Sequence, residues 1–153
     1  MDGKQIRTHL QMLARVLLGA ILIFAGYAHL TISRVDFLAQ VPPWLPMDPQ
    51  RVVYLSGIVE ILLGAALIVL HRQRVYMGWI VAFFFVAVFP GNIAQYMYHR
   101  SSFNLNTDGA RLFRLCWEPL LWVWPLWATG AWTAFRQKRE AQQLHRRVPT
   151  NNV

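Results

Sequence analysis

Charge is distributed along this chain in a way that few folds tolerate. Of its 22 Asp, Glu, Lys and Arg residues, 20 lie outside four stretches, 16–33, 52–70, 75–98 and 115–135, which together hold 82 residues. The two exceptions are both acids, Glu60 and Glu118. A soluble domain carries charge on every exposed face, whereas a bilayer excludes it wherever the backbone crosses the hydrocarbon core. Each stretch has close to the ~20 residues that a helix needs for that crossing. With 56% of its 153 residues hydrophobic, the chain is long enough for one domain and too apolar for an ordinary soluble one. The sequence therefore predicts an all-α integral membrane four-helix bundle. Its transmembrane domain covers 1–135, with spans at about 13–33, 52–70, 75–98 and 112–135, and a basic tail follows over 136–153.

The basic residues set the topology. Lys4, Arg7, Arg15, Arg72, Arg74, Arg136, Lys138, Arg139, Arg146 and Arg147 fall on one side of the predicted spans, and Arg34, Arg51, Arg100, Arg111 and Arg114 on the other. The richer side belongs in the cytoplasm, which makes both termini cytoplasmic, as an even number of spans requires. Connection lengths agree: 71–74 is a tight inner turn, while 31–51 and 99–114 are longer outer loops. The net charge of +8 thus reports orientation and carries no nucleic-acid motif beside it. A basic start followed by an apolar run and the small residues Gly26 and Ala28 also has the pattern of a cleavable signal peptide. Cleavage would leave three spans and waste the glycine pattern of the first. The single cysteine, Cys116, has no partner for a disulfide or a redox pair, and its bland reading is a small residue in a helix interface. The basic tail reads as a solvated or lipid-surface segment with a helix-compatible run at 141–144.

Ionisable groups at membrane depth are costly and usually face protein. Glu60 lies about 12 Å below the outer end of the second span at 1.5 Å per residue. Ser56, Gly57 and Gly64 share its face, a small-residue stripe that lets a neighbouring helix come close. Gly19 and Gly26 repeat the device in the first span, with His29 three residues beyond Gly26 on the same face. Asn92, Gln95 and His99 form a stripe in the third span, after Pro90 and Gly91, which should kink it. Arg114 and Glu118 stand at i, i+4 at the outer end of the fourth, able to pair with each other or across to Glu60. His29, Glu60, Asn92, Gln95, Arg114 and Glu118 therefore all fall in the outer half, while the inner half is nearly free of polar side chains. Two readings stay open: a polar staple that fixes helix packing, or a site for a small ligand or proton.

The remaining signals are weaker. The loop motif Pro42, Pro43, Trp44 and Pro46 is stiffened by proline, and the fourth span holds Trp117, Trp122, Trp124, Trp127 and Trp132. Interfacial belts and lipid packing account for such tryptophans, and a stacking surface for a flat ligand is the alternative. Haem between His29 and His99 does not suit His99, which ends its span beside Arg100 at a wet boundary. No covalent or metal cofactor is expected; a quinone is the small molecule the polar cluster leaves open.

Taken in order, Ala25, Gly26 and His29, the 41–46 loop, Ser56, Gly57 and Glu60, Phe89, Pro90 and Asn92, and Arg114, Leu115, Pro119 and Leu120 resemble the DoxX family of small bacterial membrane proteins. The resemblance covers roughly 16–132. It implies a four-helix bundle of the bacterial inner membrane associated with redox or respiratory complexes. The family's recurrent polar positions fall here on His29, Glu60, Asn92 and Arg114. One departure is plain: relatives show Pro-Leu-Gln after the Arg-Leu pair, where this chain has Cys116, Trp117 and Glu118. Three functions follow as expectations. The first is a non-catalytic subunit or assembly factor, packed on other membrane subunits or on copies of itself. The second is a quinone-interacting oxidoreductase component using Glu60 or Glu118 for the proton and Arg114 or His29 for the quinone oxygen. The third, a small-molecule transporter, has the apolar inner half against it.

Overall fold

The computed structural model of the chain describes residues 2–147, and the last residues of the basic tail lie outside them. Among the described residues the architecture is all-helical: α1 (Gly3–Leu30), α2 (Arg34–Leu38), α3 (Pro49–Val69), α4 (Arg74–Met97), α5 (Asp108–Ala128) and α6 (Ala131–Arg147), with a 3-10 turn at His71–Gln73 joining α3 to α4. α1, α3 and α4, the last taken with its preceding turn, are long and apolar enough to cross a membrane. Their outward faces carry large apolar side chains such as Leu13, Phe24, Leu62, Tyr76 and Phe83, which suit a lipid environment.

α1 packs along α3, and α4 along α5. The first pair is drawn together by glycines in reciprocal contact. A Cβ added at Gly26 would lie 2.5 Å from the Gly57 carbonyl oxygen, and one at Gly64 would lie 2.5 Å from that of Gly19. The two contacts match an antiparallel crossing, because Gly19 meets Gly64 where Gly26 meets Gly57. Backbone touches backbone at two levels, as the small-residue stripes predict. The apolar core is formed by Leu18, Leu22, Leu67, Met77 and Val81. Burial against a neighbouring helix instead of lipid contributes through close packing more than through water release.

Helix ends follow local chemistry. Asp48 caps α3 by accepting from the Arg51 amide at 3.1 Å, with Pro49 in the first turn. Thr107 caps α5 by accepting from the Ala110 amide at 3.3 Å. Two residues past the end of α4, His99 takes a left-handed φ of 49°; its amide donates to the Tyr96 carbonyl and that of Arg100 to the Gln95 carbonyl.

Several expectations are corrected here. The fourth predicted span ran to 135, but α5 stops at Ala128. Gly130 takes φ 72°, and the Thr129 hydroxyl donates to the Pro125 carbonyl at 2.6 Å, so the chain turns and restarts as α6. The 31–51 connection contains the short helix α2. α4 continues past Pro90 as a single helix, and Gly91 makes room for the Gln40 carbonyl, 3.0 Å from where its Cβ would sit. Cys116 is exposed. Nor is the short-turn half free of polar groups. Arg15 is buried there, and its Nη1 donates to the Leu67 carbonyl at 2.9 Å, capping the last turn of α3 from another helix.

Candidate functional site

The six residues singled out by depth are all found toward the long-loop end, and five of them are buried: His29, Glu60, Asn92, Gln95 and Glu118, with Arg114 half-buried. They form two groups. In the first, His29 Nδ1 lies 2.8 Å from Glu60 Oε2 across the α1–α3 seam. The same Nδ1 is 3.0 Å from the Ala25 carbonyl oxygen, one turn back. A carbonyl can only accept, so Nδ1 carries a hydrogen and Nε2 is the nitrogen free of it in the neutral ring. That hydrogen is directed at Ala25. Glu60 Oε2 therefore sits at ion-pair distance without a hydrogen bond of its own and is one of the few buried polar atoms lacking one.

In the second group Asn92 is the hub. Its side-chain nitrogen donates to Glu118 Oε1, and its oxygen accepts from Arg114 Nε at 3.1 Å. The amide thus stands between Arg114 and Glu118, replacing both the direct i, i+4 pair and the reach to Glu60 allowed by the sequence. Asn92 suits this place because it offers a donor and an acceptor from one planar group, which a carboxylate or a hydrocarbon cannot do. Glu118 Oε2 and, one turn further on, Trp122 Nε1 are buried without a partner among the described residues. Gln95 belongs to neither group: its oxygen accepts from Gln40 Nε2 at 3.1 Å, tying the segment after α2 to α4.

Two aromatic rings that the sequence reading missed join the groups. Phe37 of α2 stacks on the His29 ring with centroids 3.3 Å apart, and Phe103 meets Phe37 edge-on at 4.7 Å. The Arg114 guanidinium carbon lies 5.8 Å from the Phe103 centroid. Phe103 is held there against its own preference. It has φ 52°, which costs a non-glycine residue about 1–2 kcal/mol. The Asp36 carboxylate accepts from its amide at 3.0 Å, and the neighbouring Ser102 hydroxyl donates to the Asp36 carbonyl at 2.8 Å.

Loop arginines complete the cap. Arg100 Nη1 donates to the carbonyls of Val41 at 3.1 Å and Ala39 at 3.3 Å, so the start of the proline loop is strapped down. Val41 and Pro42 are buried while Pro43, Trp44 and Pro46 are exposed, and none of the loop's prolines joins the polar groups. Arg111, buried, donates to Asp108 at 2.6 Å, and His99 Nδ1 lies 2.8 Å from the same oxygen. Asp108 is held below the usual carboxylate range, first by the His99 hydrogen bond and then by Arg111. His99 therefore serves a loop contact, apart from His29. No periodicity marks Phe37, Phe103 or Arg100, because each acts from irregular or very short structure, and Arg111 sits in the first turn of α5, where its partners Asp108, Arg100 and Ser101 lie at or before the helix start.

A cleft of about 310 Å³ opens beside the second group, lined by Phe103, Leu105, Ala110, Phe113, Arg114 and Trp117. Neither the curated proteins nor the solved structures provide a match to this chain. A family model does match, over residues 18–129, which run from the middle of α1 through the end of α5 and take in both polar groups and the cleft. By that match, which covers most of its length, the chain belongs to the family described as a domain of unknown function, DUF8561.

Proposed function

We propose that the chain is a multi-pass protein of the bacterial inner membrane, with α1, α3, α4 and α5 as four spans and both termini in the cytoplasm. In this reading it is a DoxX-like, non-catalytic subunit or assembly factor of a redox or respiratory complex. One observation carries it. The buried polar side chains meet partners on other elements of this same chain: His29 stands at ion-pair distance from Glu60, and Asn92 bonds to Glu118 and Arg114 and Gln95 to Gln40. Their chemistry is spent on holding helices in register, and the outward faces are left apolar for lipid or other subunits. The placement of charge supports the topology: Lys4, Arg7, Arg72, Arg74, Arg136, Lys138 and Arg139 gather at the short-turn end, where Arg7 also donates to Thr133 of α6 at 3.1 Å.

The test is native mass spectrometry of the protein extracted from its own membranes in mild detergent, with and without Glu60→Gln. Protein masses travelling with the chain at fixed stoichiometry, and persisting in the variant, are the expected result. A quinone bound at fixed stoichiometry and lost in Glu60→Gln would overturn the structural reading in favour of the quinone-interacting one. Topology is checked separately with single cysteines at Trp44 and Lys138 in a Cys116→Ser background. An impermeant maleimide should label the first in intact cells and the second only after lysis.

A further inference from the structure

We propose that the cleft beside Arg114 binds an acidic single-chain amphiphile, its carboxylate or phosphate head on the guanidinium and its chain along the aromatic wall. At about 310 Å³ the cleft is at the lower end of the sizes that hold small molecules. Arg114 is the one charged side chain in its lining, and the other five lining residues are apolar. The guanidinium is fixed from one side: Nε donates to Asn92, and the plane lies near the Phe103 ring. Its two terminal nitrogens donate to no protein group among the described residues, which leaves a forked pair of donors of the kind that matches a carboxylate or phosphate. Asn92 intervenes between Arg114 and Glu118, so no direct ion pair consumes this charge.

The walls suit a hydrocarbon chain. Phe113 and Trp117, one turn apart on α5, stack with centroids 6.0 Å apart and stand open to the surroundings. On the other side Phe103 is locked by its left-handed backbone and by Asp36. Arg114 is about 9 Å along α5 from its start. If α5 crosses the membrane, that is close to headgroup level, and an amphiphile from the outer leaflet would enter with its head at Arg114. A neutral molecule of the same shape would meet the same walls but leave the donor fork without a charged partner. The cleft should therefore select by charge, whether or not the chain has protein partners.

The experiment is a titration of the full chain, purified in a maltoside micelle, with three C14 probes: myristate, tetradecyl phosphate and tetradecanol, read as bound masses by native mass spectrometry. One acidic probe per chain, bound at least tenfold more tightly than tetradecanol, is expected. Tighter myristate assigns a fatty-acid head and tighter tetradecyl phosphate a phospholipid-type head; either supports the site. Arg114→Gln should reduce the acids to the affinity of the alcohol. Because that change also breaks the bond to Asn92, two further variants stand beside it. Leu105→Trp, which fills the cleft, should remove binding of all three. Phe113→Ala with Trp117→Ala, whose side chains are exposed, should weaken all three at least fivefold without moving the melting temperature. Tetradecanol binding as tightly as myristate, or affinities unchanged in both of these variants, would overturn the proposal.

Discussion

Replacing Gly26 by alanine tests the packing of α1 on α3 at one of its two tightest points. The new Cβ would sit 2.5 Å from the Gly57 carbonyl oxygen and 2.7 Å from Ile61 Cγ1. Ordinary contact starts near 3.4 Å, so the added methyl is about 0.9 Å too close to a backbone atom that cannot rotate away. Relief requires the helices to separate, and forced overpacking of this kind costs about 1–3 kcal/mol. The upper end applies because the obstacle is main chain. Alanine also gains about 1 kcal/mol over glycine in helix propensity, which leaves a net loss of about 2 kcal/mol. Gly109→Ala is the matched control, since nothing lies within 4 Å of its Cβ position and α5 has already begun there. It should stabilise by roughly 0.5–1 kcal/mol, so the two variants should differ by about 3 kcal/mol in reversible unfolding in detergent. A second substitution, Gly64→Ala, should cost less on top of Gly26→Ala than alone, because the helices have already moved apart. Equal stability of Gly26→Ala and Gly109→Ala, or strict additivity of Gly26 and Gly64, would refute the close crossing.

The polar groups give four further expectations. His29→Ala removes the group at ion-pair distance from the buried Glu60 and should destabilise by about 1–3 kcal/mol, and Glu60→Gln should recover part of that loss in the double variant; a thermodynamic cycle without coupling argues against the pair. Asn92→Leu leaves Glu118 and Arg114 without their shared partner and should cost about 3 kcal/mol, measured by the same unfolding assay, whereas a neutral result would mean water or lipid replaces the amide. Arg15→Met should cost about 1.5–3 kcal/mol and speed amide exchange near the end of α3, while exchange near His29 stays unchanged. Asp108 has a lowered pKa when folded, so its contribution is present above the unfolded value of about 4 and is lost as pH falls through the lower folded value. Asp108→Asn should therefore remove part of the stability loss seen below about pH 4; an unchanged acid profile would sink that assignment.

What the residues alone determined is the one-dimensional part of the problem. A bilayer core excludes charge along the chain, so charge-poor runs of the right length mark helices whatever packs beside them: α1, α3, α4 and α5 each overlap one of the four runs, although α1 starts well before its run and α5 stops short of the end of its own. Glycines at helical spacing in α1 and α3 announced two faces able to meet, and the meeting is observed. Sequence position alone likewise places His29, Glu60, Asn92, Gln95, Arg114 and Glu118 toward one end. It could not say who bonds to whom, because hydrogen bonds depend on rotation about each helix axis and on side-chain direction within an ångström, and neither is written in spacing. Glu118 meets Asn92 and not Glu60 for that reason. Phe103 was illegible for another: its place comes from a left-handed turn held by Asp36, a residue 67 positions away. Arg15, which by sequence is one more basic residue before a span, became a helix cap only once α3 ended beside it. Position along a membrane-spanning chain is set by local free energies of transfer, but the pairing of the few polar groups that remain is decided by which helices touch, and that is a property of the tertiary structure.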